Sequence, residues 1–235
     1  MMRFIKTAVK RSVIFALALV IPFSNAPKFN IAYAEPNTVK SIILNESFES
    51  NAISDVFSYT GKVIKKNLGG TSWMQVSAFS DGIGADVTKS FEKVEGLKFY
   101  ASADFMQIGR KTNENVLLSL LNDKDIPLIS IETVDGDIKY KISSSNAVSD
   151  IPSAVTEDKY RTLVPNYKIN VKYTIGVELN LKTGLADVYV NNTAAERSLP
   201  FLNSSSSVSK FIISTKYSTG FLEDNIQLYT CLLYT

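Results

Sequence analysis

Histidine is absent from the 235-residue chain, and cysteine and tryptophan occur once each. Without an imidazole there is no Ser–His–carboxylate triad, no His-centred proton transfer and none of the common zinc or haem ligation. One thiol, Cys231, makes neither an internal disulfide nor a four-thiolate metal site. No apolar run approaches the roughly 20 residues of a membrane-spanning helix, because the stretch at 13–21 is stopped by Pro22, Ser24 and Asn25. Helical periodicity is nearly absent as well. What is present, 45% hydrophobic and 20% charged residues, suits one globular domain, or at most two, and excludes disorder and coiled coil.

The two ends read differently from the middle. Arg3, Lys6, Lys10 and Arg11 precede the apolar stretch, and Ala32-Tyr33-Ala34 forms a small-x-small cleavage site, so residues 1–34 read as a signal peptide cut before Glu35. A secreted or cell-surface location is expected, with no membrane span after cleavage. Because 1–34 holds five basic residues and no acidic ones, the remainder carries 20 basic against 23 acidic side chains, a charge of −3. With no basic patch, no nucleic-acid partner is expected. Residues 230–235, Thr-Cys-Leu-Leu-Tyr-Thr, resemble a translated sequencing adapter, a natural apolar strand end being the alternative. The folded domain is accordingly placed at 35–229, with further domains of the parent chain expected beyond it.

Between these ends, short stretches rich in Val, Ile, Tyr and Phe alternate apolar with polar residues, the period of a half-buried strand. Strands are predicted at 39–44, 62–66, 72–79, 85–91, 96–107, 115–121, 128–133, 138–142, 168–179, 186–190, 208–215 and 220–229. Gly69-Gly70, Ser80-Asp81-Gly82, Asp135-Gly136-Asp137, Lys182-Thr183-Gly184 and Asn191-Asn192 supply the intervening turns. Residues 146–157 and 204–207 lack alternation and read as loops. About a dozen such strands predict an all-β fold, an antiparallel β-sandwich of jelly-roll type. Phe48, Phe91, Phe99, Phe105, Phe201 and Phe211 are assigned to its core.

An opening Asn45-Glu46-Ser47-Phe48-Glu49, a middle hairpin running through Lys182-Thr183-Gly184 into Val188-Tyr189-Val190-Asn191-Asn192, the following Leu199-Pro200-Phe201 and a closing Leu222-Glu223-Asp224-Asn225-Ile226-Gln227-Leu228-Tyr229 occur in that order. In this the chain resembles the concanavalin A-like lectin/glucanase jelly rolls, especially the laminin-G-like modules of secreted bacterial proteins. The resemblance covers most of 42–229. It implies a structural Ca²⁺ tying first strand to last, for which Glu46, Glu49, Asp224 and Asn225 offer the hard oxygen ligands such an ion takes. Sugar recognition in such modules uses aromatic rings, which makes Trp73 the first ligand-binding candidate, although a single Trp in a sandwich is more often a core residue, and Tyr59, Tyr100, Tyr160 and Tyr217 weaker ones.

Catalysis finds little support. The Glu-x-Asp-x-x-Glu strand that supplies both carboxylates in the related glucanases does not occur. Glu132, Asp135 and Asp137 span an Asp-Gly turn and read as a solvated hairpin tip, while Glu223 and Asp224 are adjacent and project to opposite faces of a strand. Two functions remain. The first is a noncatalytic carbohydrate-binding or adhesion module, its partner a polysaccharide or other glycan met outside the cell. The second is a structural or protein-interaction sandwich acting as a spacer, with no glycan site.

Overall fold

The computed structural model describes residues 38–112, 114–142 and 160–233. The predicted signal peptide and the 146–157 loop lie outside these residues. Two antiparallel sheets form a sandwich, as the alternation requires. The larger has eight strands: in order, β13 (Thr193–Pro200), β12 (Leu185–Val190), β11 (Tyr173–Asn180), β6 (Lys98–Gln107), β15 (Phe221–Leu233), β4 (Thr71–Ser77) and β3 (Lys62–Leu68), with β1 (Thr38–Glu46) paired along the rest of β15. The smaller has seven: β10 (Tyr160–Val164), β9 (Asp137–Lys141), β8 (Pro127–Val134), β7 (Val116–Leu121), β14 (Ser207–Thr215), β5 (Ala85–Glu95) and β2 (Ser58–Tyr59). One helical turn, α1 (Ile53–Val56), leads into β2. Among the described residues no helix is long and apolar enough to cross a membrane.

The core lies between the sheets and is assembled by period two. In β11, Tyr173, Ile175, Val177 and Leu179 are buried while Thr174, Gly176 and Glu178 are half-buried. In β6, Phe99, Ala101, Ala103 and Phe105 join the central cluster. Phe48, Phe99, Phe105, Phe201 and Phe211 are buried there, and Phe91, less covered, stacks on Phe99 with ring centroids 5.5 Å apart. Phe105 packs against both Tyr167 and Phe221 at 5.9 and 5.6 Å. Aromatic contacts of this kind contribute about 0.5–1.5 kcal/mol each beyond area burial.

Phe221 reaches that contact through Gly220. Gly220 has φ +61°, and a Cβ there would sit 2.2 Å from the Val76 carbonyl oxygen, so only glycine lets β15 pass so close to β4. β15 then continues through Thr230 and Cys231 to Leu233, with 230–233 paired to 38–41 of β1.

Three strands and one helical turn were not predicted. β2 is two residues long, too short to show a period. β13, Thr-Ala-Ala-Glu-Arg-Ser-Leu-Pro, is an edge strand, mostly half-buried or exposed, and has the mixed polar composition common at sheet edges. β10 is also an edge strand, with the same weak pattern. Conversely, 168–172 are not strand; β11 begins at Tyr173.

Candidate functional site

On the smaller sheet, Leu118, Leu120, Ile129, Ile131, Ile138, Tyr140, Phe211 and Ile213 face the core. Register therefore assigns their neighbours to the opposite, outer face. One row runs across five strands: Asp86, Ser214, Val116, Glu132 and Lys139. A second holds Thr88, Ile212, Ser119 and Ser130, and Lys141 lies opposite Tyr160. This face is hollowed into two adjoining depressions of about 240 and 620 Å³ that share Val116, Glu132, Lys141 and Ser214. Together they form one groove.

Glu132 lies at its floor, 7% exposed. Its Oε1 accepts a hydrogen bond from Ser130 Oγ at 2.7 Å and an ion pair from Lys141 Nζ at 3.4 Å, and its Oε2 accepts from Tyr160 Oη at 3.1 Å. Three strands thus converge on one carboxylate, which meets the requirement that a buried charge be paired and hydrogen-bonded. The Tyr160 hydroxyl is pushed up to about 12, first by burial and then by the Glu132 charge, so it donates rather than ionises. At the wider end Lys216 pairs with Glu114 at 3.0 Å, both exposed. The expected solvated tip is corrected here: Asp135 and Asp137 do sit at the turn, within 4.0 and 3.6 Å of Lys139, but Glu132 is three residues before Asp135 on the groove face.

The predicted ligand-binding aromatics are not brought together. Trp73 is 6% exposed and packs with Met106, Leu222 and Ile108, all of the other sheet or beside it, which leaves no ring face for a sugar. Tyr100, also 6% exposed, stacks on Tyr229 at 4.8 Å with Cys231 beside the pair, and Lys40 Nζ lies 3.4 Å from the Tyr229 ring centre. Trp73 thus takes the packing role a lone sandwich Trp more often has, and Tyr100 is corrected to a packing residue. Tyr59 is exposed on the short edge strand β2, and Tyr217 is half-buried after β14. The ring that does line the groove is Tyr160, one of the weaker sequence candidates; what was not predicted is the strand that carries it, because β10 has almost no alternation to announce it. The polar positions Ser130, Glu132, Lys139 and Lys141 on one face of the 128–142 hairpin were the available signal.

The proposed calcium ligands lie where first and last strands meet. Both Glu46 oxygens are taken within its own loop, Oε1 by the Phe48 N–H at 2.5 Å and Oε2 by the Asn51 side chain at 2.6 Å. Asn225 turns its amide NH₂ toward Asp104 and Asp224, at 2.8 and 3.4 Å. Glu46 and Asn225 as placed do not fit the ligand role. Glu49 accepts from the Ser72 N–H at 2.9 Å through one oxygen, while Asp224 Oδ1 is buried without a hydrogen-bond partner among the described residues. Burial, then repulsion from Asp104 and Glu49, raises the Asp224 carboxyl to about 7 against the pull of the Asn225 N–H. Among the described residues, no three Asp, Glu, Cys or His side chains gather as a metal group.

No protein-family model and no curated protein matches the sequence. Solved structures do. A sialidase is similar at TM-score 0.58 and 12% identity over 79% of this chain and 18% of its own, so the chain spans less than a fifth of it. A conserved carbohydrate esterase from Shiga toxin-encoding bacteriophage phi24B is similar at 0.56 and 8% over 82% and 99%. The Emp47p carbohydrate recognition domain is similar at 0.51 and 11% over 81% and 95%. At these identities the likeness is one of fold.

Proposed function

We propose that this protein is a noncatalytic glycan-binding module, exported from a bacterium as part of a larger surface or polysaccharide-active protein, and that the groove on its smaller sheet is the binding site. The observation that carries this reading is Glu132, held at a groove floor by Ser130, Lys141 and Tyr160 from three strands. Sugar hydroxyls both donate and accept, and a positioned carboxylate beside hydroxyl and ammonium donors offers both. The half-buried Tyr160 ring adds an apolar surface for a pyranose face. That fold-level neighbours include a carbohydrate esterase and a carbohydrate recognition domain supports the reading. The noncatalytic part rests on Glu132 being the one groove carboxylate that is buried, with Glu114 bound to Lys216 at the rim and Asp86 exposed.

A structural Ca²⁺ at the β1–β15 end is kept as a proposal on a smaller set, Glu49 and Asp224, completed by carbonyl oxygens and water. When bound, the ion would neutralise carboxylates that otherwise repel one another. The test is retention on a panel of soluble and insoluble polysaccharides, run with calcium and again with excess chelator, with reducing ends assayed. Retention without release of reducing ends supports the module. Absence of retention on every glycan favours the spacer.

A further inference from the structure

The groove's charges can be counted, and the count selects among glycans. Its wider depression is lined by three carboxylates, Asp86, Glu114 and Glu132, against two ammonium groups, Lys141 and Lys216. Each ammonium already has a carboxylate partner, Lys141 with Glu132 at 3.4 Å and Lys216 with Glu114 at 3.0 Å. Lys139, next along the row, is held by Asp137 at 3.6 Å and Asp135 at 4.0 Å. Asp86 is exposed, and among the described residues nothing pairs with its carboxylate; its contacts there run through the backbone, to Thr60. Among the described residues the groove therefore offers no unpaired cation to an incoming anion and one carboxylate in surplus.

Resting on the glycan-binding reading above, we infer that the groove takes uncharged, hydroxyl-rich glycans and rejects glycans bearing carboxylate or sulfate. A uronate or sulfate entering it would meet Glu132 from a position where little water intervenes, so the repulsion is only weakly screened. A neutral sugar meets no such barrier. One of its hydroxyls donates to a Glu132 oxygen while another accepts from Lys141 or Tyr160, and hydrogen bonds to a charged group are the stronger kind. Asp86, at the end of the row three strands from Glu132, carries negative charge to the rim.

The test compares neutral polymers (a β-glucan, a xylan and a mannan) with alginate, polygalacturonate and heparin, and with cationic chitosan, at about 20 mM and about 500 mM salt, concentrations that move the screening length several-fold. Retention of a neutral polymer, unchanged by salt and at least about tenfold stronger than of any anionic one, is expected. Asp86→Lys, an exposed change, should move the anionic-to-neutral ratio up by about tenfold. Tyr160→Phe, which keeps the ring and removes the hydroxyl, should weaken the neutral ligand several-fold, with a melting curve lowered by no more than the loss of one hydrogen bond. Tightest binding to an anionic polymer that salt releases, or to chitosan, overturns this inference while leaving the groove a glycan site. Retention of no polymer of any class refutes the glycan reading itself, and this inference with it.

Discussion

Glu223 is the side chain whose environment most nearly contradicts its chemistry. It is fully buried, neither carboxyl oxygen has a hydrogen-bond partner among the described residues, and its register neighbours on the two flanking strands, Phe105 and Met74, both belong to the core. Burial, then the charges of Asp104 and Asp224, drives its carboxyl well above the ordinary range, so it is folded as the neutral acid. Glu223→Met replaces it with an unbranched apolar chain of similar length. Removing an unsatisfied buried polar group is worth about 1–3 kcal/mol, which at about 3 °C per kcal/mol for a domain of this size raises Tm by roughly 3–9 °C. The pH dependence has a fixed sign. The unfolded chain releases the Glu223 proton above about pH 4.3 while the folded one retains it, so wild-type stability falls as pH rises from there, by up to about 1.4 kcal/mol per unit. Asp224, raised to about 7, adds the same sign between its ordinary range and that value. Urea denaturation in the presence of chelator, at intervals from pH 4.5 to 8, should show the variant more stable than wild type and its slope flatter. A variant less stable than wild type at every pH would refute the reasoning, since it would mean that the carboxyl has a stabilising partner.

Other expectations follow from single contacts. Gly220→Ala forces a Cβ to within 2.2 Å of the Val76 carbonyl at positive φ, and should cost at least about 2 kcal/mol by denaturant titration. Trp73→Ala empties a packed site and should lower stability by about 3 kcal/mol while leaving glycan retention intact, the reverse of what a sugar-stacking anchor would do. Glu132→Ala removes the acceptor shared by Ser130, Lys141 and Tyr160 and should weaken retention by tenfold or more, with Glu132→Gln intermediate. If calcium binds Glu49 and Asp224, chelator lowers Tm and Asp224→Asn abolishes that difference; a chelator-independent Tm removes the ion.

Much of the fold was legible because the sandwich core is written in alternation: the Asp135-Gly136 hairpin and the Tyr173 to Leu179 strand could each be assigned an inner face from sequence. The groove was less so. Its rows join Asp86, Ser214, Val116 and Glu132, positions far apart in the chain that only inter-strand register aligns, and register between distant strands leaves no local mark. Glu132 was misplaced because its nearness in sequence to Asp135 and Asp137 outweighed its place on the polar face of β8. Trp73 was left with two readings, core or sugar anchor, for a different reason. A sheet's outer face can be as dry as its inner one, and the Met106, Leu222 and Ile108 that cover it come from separate segments.

The groove's role is tested most directly by mapping where a retained oligosaccharide binds, through amide chemical-shift changes on titration. The largest changes should fall on Ser130, Glu132, Lys141 and Tyr160, across β8, β9 and β10. Changes centred instead on Trp73, Tyr100 and Tyr229 of the larger sheet would contradict the assignment.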